Sequence, residues 1–96
     1  MRVAQVIGTV TLNRMLPSLK GARLKMAVPL SLADLVGDGS GDADPIVVYD
    51  EFGTGINDRI MVSEGGEAAQ PFYPEDKPID AYNAGILDEL TIELPE

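Results

Sequence analysis

Between residues 3 and 12 apolar and polar side chains alternate loosely, with Val3, Gln5, Ile7, Thr9 and Thr11 set against Ala4, Val6, Gly8, Val10 and Leu12. This spacing predicts a long strand buried on one face, in which Gly8 marks a bend or a close backbone approach. Pro17 and Gly21 bound a turn, and residues 22–30 read as a second strand closed by Pro29. Residues 31–45 carry the weakest pattern and read as the least structured part, with an acidic tip at 37–44 rich in glycine and aspartate. Two apolar runs, Ile46-Val47-Val48-Tyr49 and Arg59-Ile60-Met61-Val62, then flank Asp50-Glu51-Phe52-Gly53-Thr54-Gly55. That order reads as strand, glycine turn, strand. The Gly-x-Gly suits a tight barrel corner, since glycine takes positive φ without penalty, and we expect that conformation at Gly55. One helical turn is expected over 67–70 before Pro71, a small-residue strand over 79–88, and a final strand or tail from residue 90.

At least five short strands at regular spacing, with at most one short helix, indicate an all-β fold built as a small closed β-barrel. Closure removes the open edges that invite aggregation. No internal repeat is visible, and residues 1–96 read as one domain.

Composition sharpens this picture in two ways. A chain of 96 residues buries only roughly 60–65% of the surface its unfolded form exposes, so a lone copy is modestly stable. With no cysteine and no histidine, it has neither a disulfide nor a structural zinc to staple it, and assembly is the remaining route to stability. Charge is the second feature. The net charge of −9 argues against a nucleic-acid partner, which needs a basic face. All five bases of residues 1–30 (Arg2, Arg14, Lys20, Arg23, Lys25) stand without a single acid, whereas residues 31–96 hold all sixteen acids. Head-to-tail contact between a basic part of one copy and an acidic part of the next would use that asymmetry. No run approaches the ~20 apolar residues of a membrane-spanning helix, and the N-terminus lacks the make-up of a signal peptide. The expectation is a soluble cytoplasmic chain with no membrane partner.

Candidate chemistry is thin. Asp38, Ser40, Asp42 and Asp44 alternate as calcium ligands do, but Ala43 and Tyr49 occupy the positions where an EF-hand loop needs glycine and glutamate. The adjacent acid pairs, such as Asp50-Glu51, point to opposite faces of a strand and cannot act together. Asp50 and Asp80, at turn entries, instead read as acceptors for nearby backbone N–H groups. Thr54 and the serines have no histidine partner, and a Ser18–Lys20 pair has nothing to position it. No catalytic residue, cofactor site or metal site is expected.

Several segments in order resemble one family: Val3-Ala4-Gln5-Val6-Ile7-Gly8-Thr9-Val10, Pro17-Ser18-Leu19-Lys20-Gly21-Ala22-Arg23-Leu24, Val48-Tyr49-Asp50-Glu51-Phe52-Gly53-Thr54-Gly55, and Pro78-Ile79-Asp80-Ala81 followed by Gly85-Ile86-Leu87-Asp88. The chain resembles the EutN/CcmL family of bacterial microcompartment vertex proteins over residues 2–89. It departs from the family's pattern at Asn57, where a further glycine is common, and at Glu67-Ala68-Ala69-Gln70, where a Ser-Ser-Ala-Arg run is common.

The resemblance implies a five-stranded barrel like those that bind oligonucleotides (OB-like), assembled as a homopentamer. It implies a structural role with no catalysis, capping the fivefold vertices of a shell whose facets are hexameric shell proteins. By the same resemblance, Pro17, Ser18, Leu19, Lys20, Gly21 and Arg23, the corner residues Gly53, Thr54, Gly55 and Asn57, and Asp80 with Ala81 are the expected subunit or shell contacts. Asp50, Gly53 and Gly55 are the expected turn-makers. The rival reading of the same residues is a stand-alone β-barrel that binds a small ligand or a peptide.

Overall fold

The alternating N-terminal run forms β1 (Arg2–Val10), which buries Ala4 and Val6 on one face and leaves Ile7 and Thr9 exposed on the other. The computed structural model describes residues 1–37, 43–75 and 77–93. After β1 come a 3-10 turn (Pro17–Leu19), β2 (Leu24–Pro29), a short helix α1 (Leu32–Val36), β3 (Ile46–Tyr49), β4 (Arg59–Glu64), a 3-10 segment (Gly65–Phe72) and β5 (Ala81–Ile86). The strands close into a barrel in the order β1-β2-β3-β5-β4. All pairings are antiparallel except β3 with β5, which meet in parallel at Tyr49 and Tyr82. The all-β expectation, a closed five-stranded barrel with one short helix, matches the observed architecture.

Ala4, Val6, Ala27, Val48, Ile60, Val62 and Ala81 fill the barrel. No fully buried apolar side chain exceeds isoleucine, so the interior is narrow and its walls stand close. The weak β3–β5 pairing is covered from outside by aromatic rings. Tyr49 and Phe72 meet edge to face at 4.9 Å, and Phe72 meets Tyr82 in the same way at 5.6 Å. Such contacts add stabilisation beyond the buried area alone.

The structure corrects two expectations and decides between alternatives at two further places. Residues 31–45 are not uniformly irregular: Ser31 Oγ accepts from the Asp34 N–H and Asp34 Oδ2 accepts from the Ser31 N–H, a capping box that starts α1. Gly8 follows a bulge at Ile7 in the β1–β2 register, but a Cβ there would meet nothing within 4 Å, so its role is the bend and not a close approach. Positive φ occurs at Gly53 (73°) and Asn57 (77°) and not at Gly55. Residues 90–93 form no strand, which leaves the tail of the two readings for that segment. Of the alternating acidic positions, Asp38, Ser40 and Asp42 lie outside the described residues, and Asp44 is exposed.

Candidate assembly surfaces

β3 and β4 flank the Gly-x-Gly, yet β5 lies between them in the barrel. Residues 50–58 therefore form a corner between non-adjacent strands, and Asp50 organises it. Its Oδ1 accepts from the Phe52 N–H (3.0 Å) and from Asn83 Nδ2 (3.0 Å), and its Oδ2 from the Thr54 N–H (2.8 Å) and Thr54 Oγ1 (3.0 Å). Asp50, Thr54 and Asn83 are all buried. Burial pushes the Asp50 carboxyl pKa up, but the four donors together outweigh it and hold the group below the ordinary aspartate value. The expected backbone-acceptor role of Asp50 is met in full. At Asp80 the contact comes from the backbone carbonyl, which accepts from the Gly65 N–H at 2.9 Å, while the residue is exposed.

The far end of the corner is clamped to β1. The Asn57 N–H donates to the Val6 carbonyl (2.7 Å), the Val6 N–H donates to the Asp58 carbonyl (2.8 Å), and Gln5 Nε2 donates to Asn57 Oδ1 (3.2 Å). Asparagine tolerates the left-handed conformation better than other side-chain-bearing residues, which explains how this position does without glycine. Gly55 contributes differently from the expectation: its N–H donates to Asp58 Oδ2 at 2.8 Å.

Two segments far apart in sequence meet at the other side of the corner. The Arg23 carbonyl accepts from the Asp50 N–H at 2.8 Å, and a Cβ added at Gly53 would lie 3.2 Å from Arg23 Nη1. The loop leading to Arg23 is held in turn by Lys77. Its side chain is only 9% exposed, its ammonium donates to the Ser18 carbonyl, and it stands 4.9 Å from the Phe72 ring and 5.6 Å from the Tyr49 ring. A single buried cation thus ties the 17–21 loop to the aromatic cluster that closes the barrel. Neither Lys77 nor Asn83 was singled out from sequence. The only available signal was that Lys77 and Arg59 are the two bases in an otherwise acidic stretch.

Of the expected contact residues, Pro17, Lys20, Gly21, Arg23, Gly53, Gly55, Asn57 and Asp80 are exposed and Ser18 and Leu19 are half-buried. Thr54 and Ala81 are buried inside the barrel wall at 3% exposure, so they shape the surface from behind. Large apolar side chains stand in solvent beside the exposed set: Leu16, Phe52 and Ile56 each show more than half of their surface. An open groove of about 330 Å³ runs between the end of β1 and the start of β2, with Leu12, Met15 and Leu19 among its lining residues. A second of about 220 Å³ continues from Leu12 and Leu19 past Val47 to Asp80 and Ala81. Among the described residues, no group of three or more carboxylate, histidine or cysteine side chains is gathered to hold a metal ion.

Comparison with known proteins places this barrel among shell proteins. The relatives that are 30% identical or better cover 94–97% of the chain. The carboxysome shell vertex protein CcmL of Thermosynechococcus vestitus is 34% identical over 95% of this chain and 87% of its own length. The bacterial microcompartment shell vertex protein GrpN of Rhodospirillum rubrum is 35% identical over 94% and 96%. Its solved structure, described as a pentameric microcompartment shell protein, superposes with a TM-score of 0.80 at 30% identity, covering 97% of this chain and all of that one. The Gloeobacter violaceus CcmL structure gives a TM-score of 0.84 at 27% identity over 97% and 91%. Residues 1–88 match the family described as ethanolamine utilisation protein EutN/carboxysome. A closed five-stranded barrel with these relatives and this coverage belongs to the EutN/CcmL family.

Proposed function

We propose that this chain is a non-catalytic structural subunit that closes into a ring of five and caps the fivefold vertices of a bacterial microcompartment shell in the cytoplasm. Its neighbours in that shell are hexameric facet proteins. The observation that carries the reading is the full-length likeness to a pentameric shell protein, in fold and in sequence together. Physical features of the protomer support it. Its fully buried apolar side chains are none larger than isoleucine, while Leu16, Phe52 and Ile56 remain in water, and covering such residues is what a ring interface does. The loop at 17–23 and the corner at 53–57 carry the proposed subunit and facet contacts, because the Arg23–Asp50 bond holds them side by side and Lys77 fixes the loop at Ser18.

Co-expression with a hexameric shell protein, followed by electron microscopy, tests the role. The expected outcome is closed polyhedral shells with this chain present and open or tubular assemblies without it. Shells that close equally well in its absence would overturn the vertex role and return the barrel to the ligand- or peptide-binding reading.

A further inference from the structure

The charge distribution on the folded protomer bears on which two surfaces meet in the ring. We propose that successive copies join head to tail, the acidic segment 87–90 of one copy seating on the groove at the β1–β2 tip of the next. This inference rests on the vertex reading above and specifies which two surfaces meet.

Apolar and basic side chains line the groove together. Leu12, Met15 and Leu19 are among its apolar lining residues, and Met15 is 46% exposed. Arg23 and Lys25 line it. Lys25 Nζ donates to Thr9 Oγ1 at 3.4 Å, and among the described residues the ion pairs, Arg2 with Glu64 and Lys77 with Glu75, involve neither Arg23 nor Lys25. The first thirty residues contain no carboxylate at all. Two copies meeting groove to groove would repel, which leaves a heterologous contact as the workable one.

The complementary surface is Leu87-Asp88-Glu89-Leu90. The Leu87 N–H donates to the Arg59 carbonyl at 2.8 Å. Beyond that bond Asp88 and Glu89 are exposed, and the adjacent Leu90 shows 40% of its surface. Two carboxylates between two leucines match a groove lined by two cations and by leucine and methionine side chains. Position on the protomer also fits. Arg59 pairs with Gln5, and the groove begins at the far end of β1, where Val10 pairs with Leu24. Five residues of strand separate the two sites, roughly 17 Å at the usual rise, so one copy presents both surfaces at once without overlap. A ring built from two distinct surfaces requires that separation.

Charge reversal with rescue tests the seam by native mass spectrometry at fixed protomer concentration. The wild type is expected as a ring of five 10.2 kDa chains, about 51 kDa. Arg23→Glu with Lys25→Glu, and separately Asp88→Lys with Glu89→Lys, should each reduce the pentamer fraction by roughly tenfold or more through like-charge juxtaposition. A chain carrying all four substitutions should recover the ring, an outcome that a misfolded chain cannot produce. Circular dichroism of each variant checks the fold. A wild-type ring that both reversals leave intact overturns the seam and spares the vertex reading. Folded reversal variants that lose the ring without four-fold rescue overturn the pairing and point to a facet protein as the occupant of the groove. A monomeric wild type overturns the vertex reading and the seam together.

Discussion

Removing the Asp50 carboxylate tests whether the barrel corner is held by the polar cluster rather than by apolar packing. Asp50→Ala deletes an acceptor that serves four donors: the N–H groups of Phe52 and Thr54, the Thr54 hydroxyl and the Asn83 amide. Thr54 and Asn83 are buried, so three of those donors lose their partner where bulk water does not replace it. An orphaned buried donor costs about 1–3 kcal/mol. Allowing for water entering the space left by the side chain, the expected loss is about 3–5 kcal/mol, a large part of the ~5–15 kcal/mol that stabilises an ordinary domain. Asp50→Asn keeps one acceptor oxygen but turns an NH₂ toward the Thr54 donors, and should cost about 2 kcal/mol.

Urea unfolding at fixed protomer concentration reads both values, since assembly links stability to concentration. With a slope of ~1.5 kcal/mol/M, the alanine variant should unfold about 2–3 M earlier with an unchanged slope. A loss below about 1 kcal/mol would refute the claim that these donors depend on Asp50. The same site sets a pH dependence. The folded-state pKa lies below the ordinary value, so the unfolded chain binds more protons in the interval between the two. The contribution is therefore fully present above about pH 4 and is lost as pH falls through the depressed folded value. The wild type should lose stability over that acid range, and Asp50→Asn should show a shallower decline.

Gly53→Ala should destabilise by about 1–2 kcal/mol because φ is left-handed there and the new methyl meets Arg23 Nη1 at 3.2 Å. Gly55→Ala, whose Cβ meets only Asp58 Oδ2 at 3.9 Å, should fall within about 0.5–1 kcal/mol of wild type in the same urea assay. Lys77→Met should lower stability by about 1–3 kcal/mol through the lost charged hydrogen bond and ring contacts, and amide exchange should accelerate in residues 17–21. Unchanged exchange there would show that Lys77 does not hold the loop. Arg2→Gln breaks an ion pair with Glu64 in which Arg2 is half exposed, and the thermal midpoint should move by less than the equivalent of about 1 kcal/mol.

What could be read in the sequence follows from which interactions are local. The β1 alternation, the Pro17 turn and the two runs around the corner each depend on side-chain period or turn chemistry within ten residues, and each appears where it was expected. Ser31-Leu32-Ala33-Asp34 is equally local, but the glycine-rich stretch beside it masks its capping box. The left-handed residues of the corner were not legible. A Gly-x-Gly announces that the chain can bend, but Asp50 chooses the bending residue by drawing in the Phe52 and Thr54 N–H groups, which leaves Gly53 to turn between them. Asn83 and Lys77 are further removed still. The first reaches Asp50 across 33 positions and the second reaches Ser18 across 59, and neither partner leaves a trace in the other's neighbourhood of the chain. The proposed seam sits between these cases. The basic and acidic regions are evident as composition, but a charged stretch becomes a surface only once the barrel gathers Arg23 and Lys25 into one groove with Leu12 and Met15. Sequence supplies the sign of each surface, and the closed sheet decides that the two signs stand apart on one protomer, which is the condition a ring of identical subunits imposes.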